Sequence, residues 1–419
     1  MYKRQTITIA GIASVTSSVT APSFVGAVTG NVTGNADTAS GLSGNPSINT
    51  TGIVTATSFV PTTGQLSHRN LVVNGAMIFS QRGTSSTSSG YYTVDRFKVI
   101  NTGTDESPTQ AQVDVASGTT PYTLGSRKAL KVTNGNQTSG AGGGDFIWIQ
   151  HVIEAQNIAN SGWNYTSSSS NITLSFWVKS SVAQDFKGYL RSSDGTNLEY
   201  PFATGSLTAD TWTKITKTIP GNSNLQIDND NDYGLEINIL PFLGTDRTDG
   251  SVTENAWATY NSSARTKDHT STWYTTNDAT FEITGVQLEV GPVATPFEHR
   301  SFADELRRCQ RYYCRITPSN NAFYGVGNID GGNQSQILVT FPTEMRARPT
   351  SIETTGSASN YILRVTSNVT CTSVPQLDIC TTTNALVVPY ANSHGFTDKS
   401  GAFLRANGDA SFLGFSAEL

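Results

Sequence analysis

Between Ile172 and Lys179 the chain has a period of two. Ile172, Leu174, Phe176 and Val178 fall on one side of an extended backbone, and Thr173, Ser175, Trp177 and Lys179 fall on the other. A helix would scatter these residues around its circumference; a half-buried strand gives each set its own face. Comparable runs recur at short intervals: Asn70–Gly75, Asp145–Ile153, Phe186–Arg191, Trp212–Ile219, Gly234–Leu240 and Ala279–Val290. Turn-forming residues separate them. At least seven strands between 67 and 300 fit a two-sheet β-sandwich. Composition agrees. Only 14% of residues are charged, against about 25% in an average soluble domain. Ser, Thr, Asn and 38 Gly take their place, and these favour strands and turns over helices.

One helix is expected, over 301–315. Ser301 with Asp304 three residues on is an N-cap pattern. Phe302, Leu306, Cys309 and Tyr313 form a single stripe, and Arg307, Arg308, Arg311 and Arg315 lie on the remaining faces as a solvated surface. Beyond it, residues 316–419 return to strands at Gln336–Phe341, Tyr361–Val365 and Ala385–Tyr390. Ala402–Ala406 and Ser411–Phe415 are expected to pair across a turn at Asn407-Gly408, with the last residues docked on the domain. The expected fold class is therefore all-β: a sandwich, a linking helix and a small C-terminal β domain.

Residues 1–66 differ in kind. Asp37 is their sole acidic residue, and Tyr2, Phe24 and Phe59 are their sole aromatics. A Val-Thr-Gly-Asn unit repeats over 28–35. So few bulky side chains cannot offset the entropy of ordering a single chain. The recurring β-branched residues point to a fibrous stalk in which identical chains intertwine and share apolar contacts, with a loose Gly/Ser/Thr-rich linker as the alternative. Lys3-Arg4 before Thr6-Ile7-Thr8-Ile9-Ala10 faintly imitates a leader sequence, but the Thr alternation makes it a strand.

The charge balance, 27 Lys plus Arg against 32 Asp plus Glu, argues against nonspecific nucleic-acid binding. No run approaches the roughly 20 apolar residues that span a bilayer, so membrane insertion is not expected. The four cysteines, Cys309, Cys314, Cys371 and Cys380, show no paired or zinc spacing and are expected to be reduced thiols, or to form at most one adventitious bridge.

Two stretches resemble a known family. Asn70-Leu71-Val72-Val73-Asn74-Gly75-Ala76-Met77-Ile78-Phe79-Ser80-Gln81-Arg82-Gly83 with Tyr92-Thr93-Val94-Asp95-Arg96-Phe97 resembles the opening of a domain found in bacteriophage tail-fibre and other virion proteins. Ile283–Gly291, Ala294–Ser301 and Cys309-Gln310-Arg311-Tyr312-Tyr313 resemble the same family's closing strand and helix. Leu174–Lys179 and Trp212-Thr213-Lys214 resemble the jelly-roll of carbohydrate-binding modules, and the N-terminal repeats resemble marine phage fibre segments. The resemblance implies a homotrimeric fibre in the virion, made in the host cytoplasm. Its N-terminus would meet other virion proteins, and its distal domains would meet a host surface glycan.

No nucleophile elbow, phosphate loop or zinc-protease motif is present. The protein is expected not to be an enzyme. A decoration or connector protein without ligand and a polysaccharide depolymerase are the alternatives; the latter needs two facing carboxylates, for which Asp185, Glu199 and Asp210 are available. His299, just before the helix, is expected to bond a carbonyl. Sugar binding needs aromatic faces beside hydrogen-bonding groups. The long loop-like stretch 242–274 supplies both, and Asp249, Trp257, Tyr260, Arg265, Trp273 and Tyr274 are the candidate residues. Trp273 has two roles open to it, facing sugar or pinning the loop; Trp177 and Trp212 sit in strands and are expected to pack. No cofactor is expected. Asp228, Asp230 and Asp232 begin like a calcium loop, but Gly234 comes one position late and Ile239 replaces the closing Glu, so a polar turn is the better reading.

Overall fold

The computed structural model describes residues 67–392 and 396–419. The expected stalk over 1–66, with its strand at Thr6–Ala10, lies outside the described residues.

Residues 85–290 form a jelly-roll sandwich of twelve strands. These are β1 (Ser85–Ser86), β2 (Lys98–Thr102), β3 (Thr109–Asp114), β4 (Lys128–Thr133), β5 (Phe146–Glu154), β6 (Asn171–Ser180), β7 (Asp185–Ser192), β8 (Leu198–Ser206), β9 (Thr213–Pro220), β10 (Tyr233–Leu243), β11 (Ala258–Thr259) and β12 (Thr280–Val290). One sheet runs β1-β3-β4-β12-β6-β9 and the other β11-β8-β7-β10-β5-β2. Every pairing between them is antiparallel. Ile172, Leu174, Phe176 and Val178 of β6 are all fully buried in the shared core, as their period demands. The opposing sheet answers with Ile147 and Ile149 of β5, Phe186 and Leu190 of β7, and Ile237 and Ile239 of β10.

The stretch Asn70–Gly75 is a succession of turns and not the strand expected. Its apolar residues are bracketed by two asparagines that act as surrogate backbone. Asn70 donates to the Val286 carbonyl (3.0 Å) and accepts from the Val72 and Leu288 amides. Asn74 donates to the Phe79 and Asp95 carbonyls, both at 2.9 Å. Gly75 crosses β12 so closely that a Cβ there would lie 2.0 Å from the Val286 carbonyl oxygen.

The helix spans Phe302–Gln310, and the Ser301 hydroxyl accepts from the Asp304 amide at 3.2 Å, the expected cap. Its stripe differs from expectation. Phe302 is exposed and meets Phe79, Tyr313 belongs to the next strand, and the inward residues are Glu305 and Cys309. Glu305 is held inside by the Arg300 guanidinium (3.2 Å) and the Asn74 amide. Arg307 and Arg308 lie at the surface as expected. Arg311 and Arg315 do not: Arg311 makes a two-pronged ion pair with the buried Glu154 at 2.8 Å, and Arg315 caps the Gln81 and Arg82 carbonyls. His299 contacts the Leu124 carbonyl at 2.9 Å.

The C-terminal part has its own core, including Ile337, Leu363, Val387, Leu404, Leu413 and Phe415. A seven-stranded sheet faces a three-stranded one. The hairpin expected at Asn407-Gly408 is not formed. Gly401–Ala406 pairs with Phe323–Ile329 and Tyr361–Arg364, whereas Leu413–Ser416 pairs with Tyr313–Ile316 and Ile352–Thr354. Leu404 and Phe415 must both face the one core, and placing the two strands in opposite sheets achieves this. The Asn-Gly pair becomes the corner between sheets, with Asn407 donating to the Ser359 and Asn360 carbonyls.

Candidate functional site

The sheet β11-β8-β7-β10-β5-β2 has a second face, turned away from the core. Because side chains alternate, whatever lies between the core residues must point there. β5 contributes Phe146, Trp148 and Gln150; β7 contributes Lys187, Tyr189 and Arg191; β8 contributes Glu199; β10 contributes Glu236, Asn238 and Leu240. Phe146, Tyr189, Leu240 and Leu243, with Ile100 and Trp148, form a cluster separate from the sandwich core.

The segment after β10 folds across this face. The Arg265 amide donates to the Arg247 carbonyl (2.9 Å), the Asp249 amide donates to the Thr266 carbonyl (3.0 Å), and Thr248 and Thr266 form a parallel bridge. These bonds set Arg247 and Arg265 side by side. The result is a ladder in which cations and aromatic rings interleave. Arg247 lies 4.8 Å from the Phe146 ring centre, Phe146 stacks on Trp148 at 4.4 Å, and Arg265 lies 5.0 Å from Trp148 and 5.5 Å from Tyr260. Arg191 completes it, 4.1 Å from Tyr260.

Polar groups flank the ladder, and several are incompletely used. Glu236 accepts from Gln150 (3.2 Å) and Ser193 (3.1 Å) and lies 3.6 Å from Arg191. Glu199 accepts from the Asn261 amide through Oε1, while its Oε2 is buried without a partner. Burial pushes the Glu199 carboxyl up to about 7, against the opposing pull of Arg265 and Arg191. Trp148 Nε1, Asn238 Nδ2 and the Nε atoms of Arg191, Arg247 and Arg265 are likewise buried and unbonded. Buried polar atoms ordinarily find partners, so such a concentration on one face marks a surface shaped for something else to complete.

The expected binding residues divide. Tyr260 and Arg265 are in the ladder. Trp273 and Tyr274 are not available: both are fully buried in the sandwich core, Trp273 donating to the Thr280 carbonyl and Tyr274 stacked on Phe242 at 4.2 Å. Trp257 is half-buried, in a T-shaped contact with Tyr200 (5.4 Å) and with its Nε1 bonded to the Pro220 carbonyl, so it pins the loop. Asp249 is exposed and turns its carboxylate to the Ser251 amide. Phe146, Trp148, Tyr189, Arg191, Arg247, Glu236 and Asn238 were not among the candidates. For all but Arg247, which follows β10, the signal was the same alternation read from the side away from the core: aromatic, charged or amide side chains at 146, 148 and 150 of β5, 187, 189 and 191 of β7, and 236 and 238 of β10.

The Asp228–Asp232 tract is a turn. Asp230 accepts from the Asp232 amide, Asp232 from the Tyr233 amide, and Asp194 from the Asp228 amide. Among the described residues, no group of three His, Cys, Asp or Glu side chains is arranged to hold a metal ion. With Arg191, Ser193, Tyr233 and Glu236 these aspartates line an open recess of about 500 Å³ at one end of the ladder. All four cysteines are buried free thiols.

Neither a protein-family profile nor a curated protein sequence matches the chain. Among solved structures, it is similar to the enzymatically active domain of tailspike protein 4 from bacteriophage CBA120 (TM-score 0.29, 11% identity, 53% of this chain and 21% of that one). It is also similar to a family 11 carbohydrate-binding module from Clostridium thermocellum in complex with a mixed-linked tetrasaccharide (TM-score 0.23, 11% identity, 51% and 98%). A third is the N-terminal CBM22-1–CBM22-2 tandem domain from Paenibacillus barcinonensis (TM-score 0.25, 10% identity, 86% and 100%). The chain thus spans about a fifth of the length of the tailspike domain it matches.

Proposed function

We propose that the protein is a non-catalytic, glycan-binding fibre component of a phage particle, acting as a homotrimer that attaches the virion to a host surface polysaccharide. The ladder of Arg247, Phe146, Trp148, Arg265, Tyr260 and Arg191 carries the binding reading. Sugar rings present C–H patches to aromatic faces and hydroxyls to polar groups, and the unbonded Trp148 Nε1, Asn238 Nδ2 and Glu199 Oε2 sit among those faces. Binding is favoured over hydrolysis by the cross-strand order. Arg191 is paired in register with both Glu199 and Glu236, so it stands between the carboxylates where a scissile bond would have to lie. The fibre reading rests on the motifs at 70–97 and 283–313 and on the composition of residues 1–66, which would meet other virion proteins. Three copies would multiply a modest single-site affinity.

Two measurements test this. Binding to host cells and to an array of surface polysaccharides is expected for the wild type, and Trp148→Ala is expected to weaken it at least tenfold with the fold retained. Absence of any glycan or cell binding would leave the connector reading. Native mass determination is expected to give three times the 44.7 kDa chain; a monomer would defeat the fibre reading.

A further inference from the structure

Arg265 is 7% exposed. Its guanidinium has no hydrogen bond and no carboxylate within ion-pair distance among the described residues, Glu199 acting on it only from beyond that distance, and its Nε is buried without a partner. The two rings it contacts, Trp148 and Tyr260, offer only their π faces, which attract a cation but accept none of its five N–H groups in the way a carboxylate would. A guanidinium removed from water is normally matched by an anion, because an unpaired buried charge is costly. Beside it, Arg247 has its own Nε unbonded and makes no ion pair among the described residues. The main-chain bond from Arg265 to Arg247 keeps the two guanidinia on one edge of the face. The opposite end is acidic: Glu236 engages Arg191, and Asp194, Asp228, Asp230 and Asp232 line the adjoining recess.

We infer that the ligand is an acidic polysaccharide, one of whose carboxylate or sulfate groups seats against Arg265 and Arg247 while a neighbouring sugar ring lies against the part-exposed Trp148 and Tyr260. This rests on the glycan-binding reading and narrows it. A planar guanidinium forks onto two oxygens of a carboxylate or sulfate, which would supply the missing acceptors and the missing charge together. The acidic recess at the Arg191 end repels the same groups, so the polysaccharide's anionic position is fixed at one end of the face.

Affinity electrophoresis of the full chain tests the inference, with gels containing polygalacturonate, the same polymer after carboxyl reduction, a carrageenan and neutral xylan. The wild type is expected to bind at least one of the two acidic polymers no less than tenfold more tightly than the neutral ones. Polygalacturonate alone would assign the anion as carboxylate, and carrageenan alone as sulfate. In Arg265→Met the acidic-to-neutral ratio is expected to fall toward one. Arg265→Lys should restore little of it, because an ammonium lacks the fork. Arg247→Gln, at a partly exposed position, should lower the ratio as well and decides the matter if the Arg265 variants do not fold. Equal retardation by acidic and neutral polymers would overturn the inference while leaving glycan binding intact; retardation by none of them would remove both.

Discussion

Glu199 is where the chemistry of the face is most exposed to measurement. Its carboxyl rises from 4.5 to about 7 on folding, mainly because burial disfavours the charge. Between those values the folded protein binds more protons than the unfolded chain, so this group's contribution to stability falls as pH rises. Asp95 acts in the same direction, pushed up to about 6. His151 and His269 act oppositely: both are buried and held below 6.5, His269 at about 3, so their contribution is lost as pH falls below 6.5. Glu199→Gln removes only the first effect. The unfolding free energy of the variant relative to wild type should therefore rise by on the order of 2 kcal/mol between pH 4.5 and pH 7.5, read from denaturant titrations at the two values. A difference independent of pH would mean that folding leaves the Glu199 carboxyl unshifted. The carboxylate was visible in the sequence as one of several, but its burial under Asn261 and its position across from Arg191 depend on which strands are neighbours.

At the scale of elements, β12 organises the jelly-roll. It lies between β4 and β6, and the left-handed Gly285 (φ +62°) marks the register shift between Thr284 and Gln287. The turn segment at 70–75 locks onto that irregularity: the Val286 amide donates to the Gly75 carbonyl, and Asn70 bonds both Val286 and Leu288. Gly75→Ala would drive a methyl group into the Val286 carbonyl. A loss of about 1–3 kcal/mol is expected, seen as a lower urea midpoint with unchanged slope. A neutral outcome would show that the segment can lift from the strand. The alternation of β6 was legible because each residue's neighbours two positions away share its fate. Asn70–Gly75 was misread because Asn70 bonds residues 216 and 218 positions distant, which no local pattern encodes.

Over the whole of residues 67–419, jelly-roll and C-terminal sheets are joined through buried charge. Arg96 is fully buried, lies 3.5 Å from the Tyr312 ring centre, donates to the Val152 carbonyl and pairs with Glu418. Arg82 lies over Tyr313 and reaches Glu418 (3.4 Å) and Glu353 (3.3 Å), while the Tyr91 hydroxyl donates to the Leu419 carbonyl. The residues that carry the resemblance to virion proteins, Gln81, Arg82, Asp95, Arg96, Arg311, Tyr312 and Tyr313, are thus the joint between the two parts. Glu418→Gln leaves the Arg96 guanidinium buried without its counter-charge and is expected to cost about 3–5 kcal/mol. Calorimetry should show one transition at lower temperature. Two transitions, with the first unchanged from wild type, would mean that the parts fold independently of this pair.

Composition and short-range spacing sufficed to show that the chain is all-β, which faces of β6 and its neighbours are buried and where the capped helix starts, since each follows from residue type or from residues a few positions apart. It took the assembled strands to show that Trp273 and Tyr274 are core, that Asn407-Gly408 turns a corner between sheets, and that Arg247, Phe146, Trp148, Arg265, Tyr260 and Arg191 stand in one row. The physical reason is strand order. A period of two says that a side chain points away from the core, but only the pairing of distant strands, and the loop bonded across them, says what it meets there.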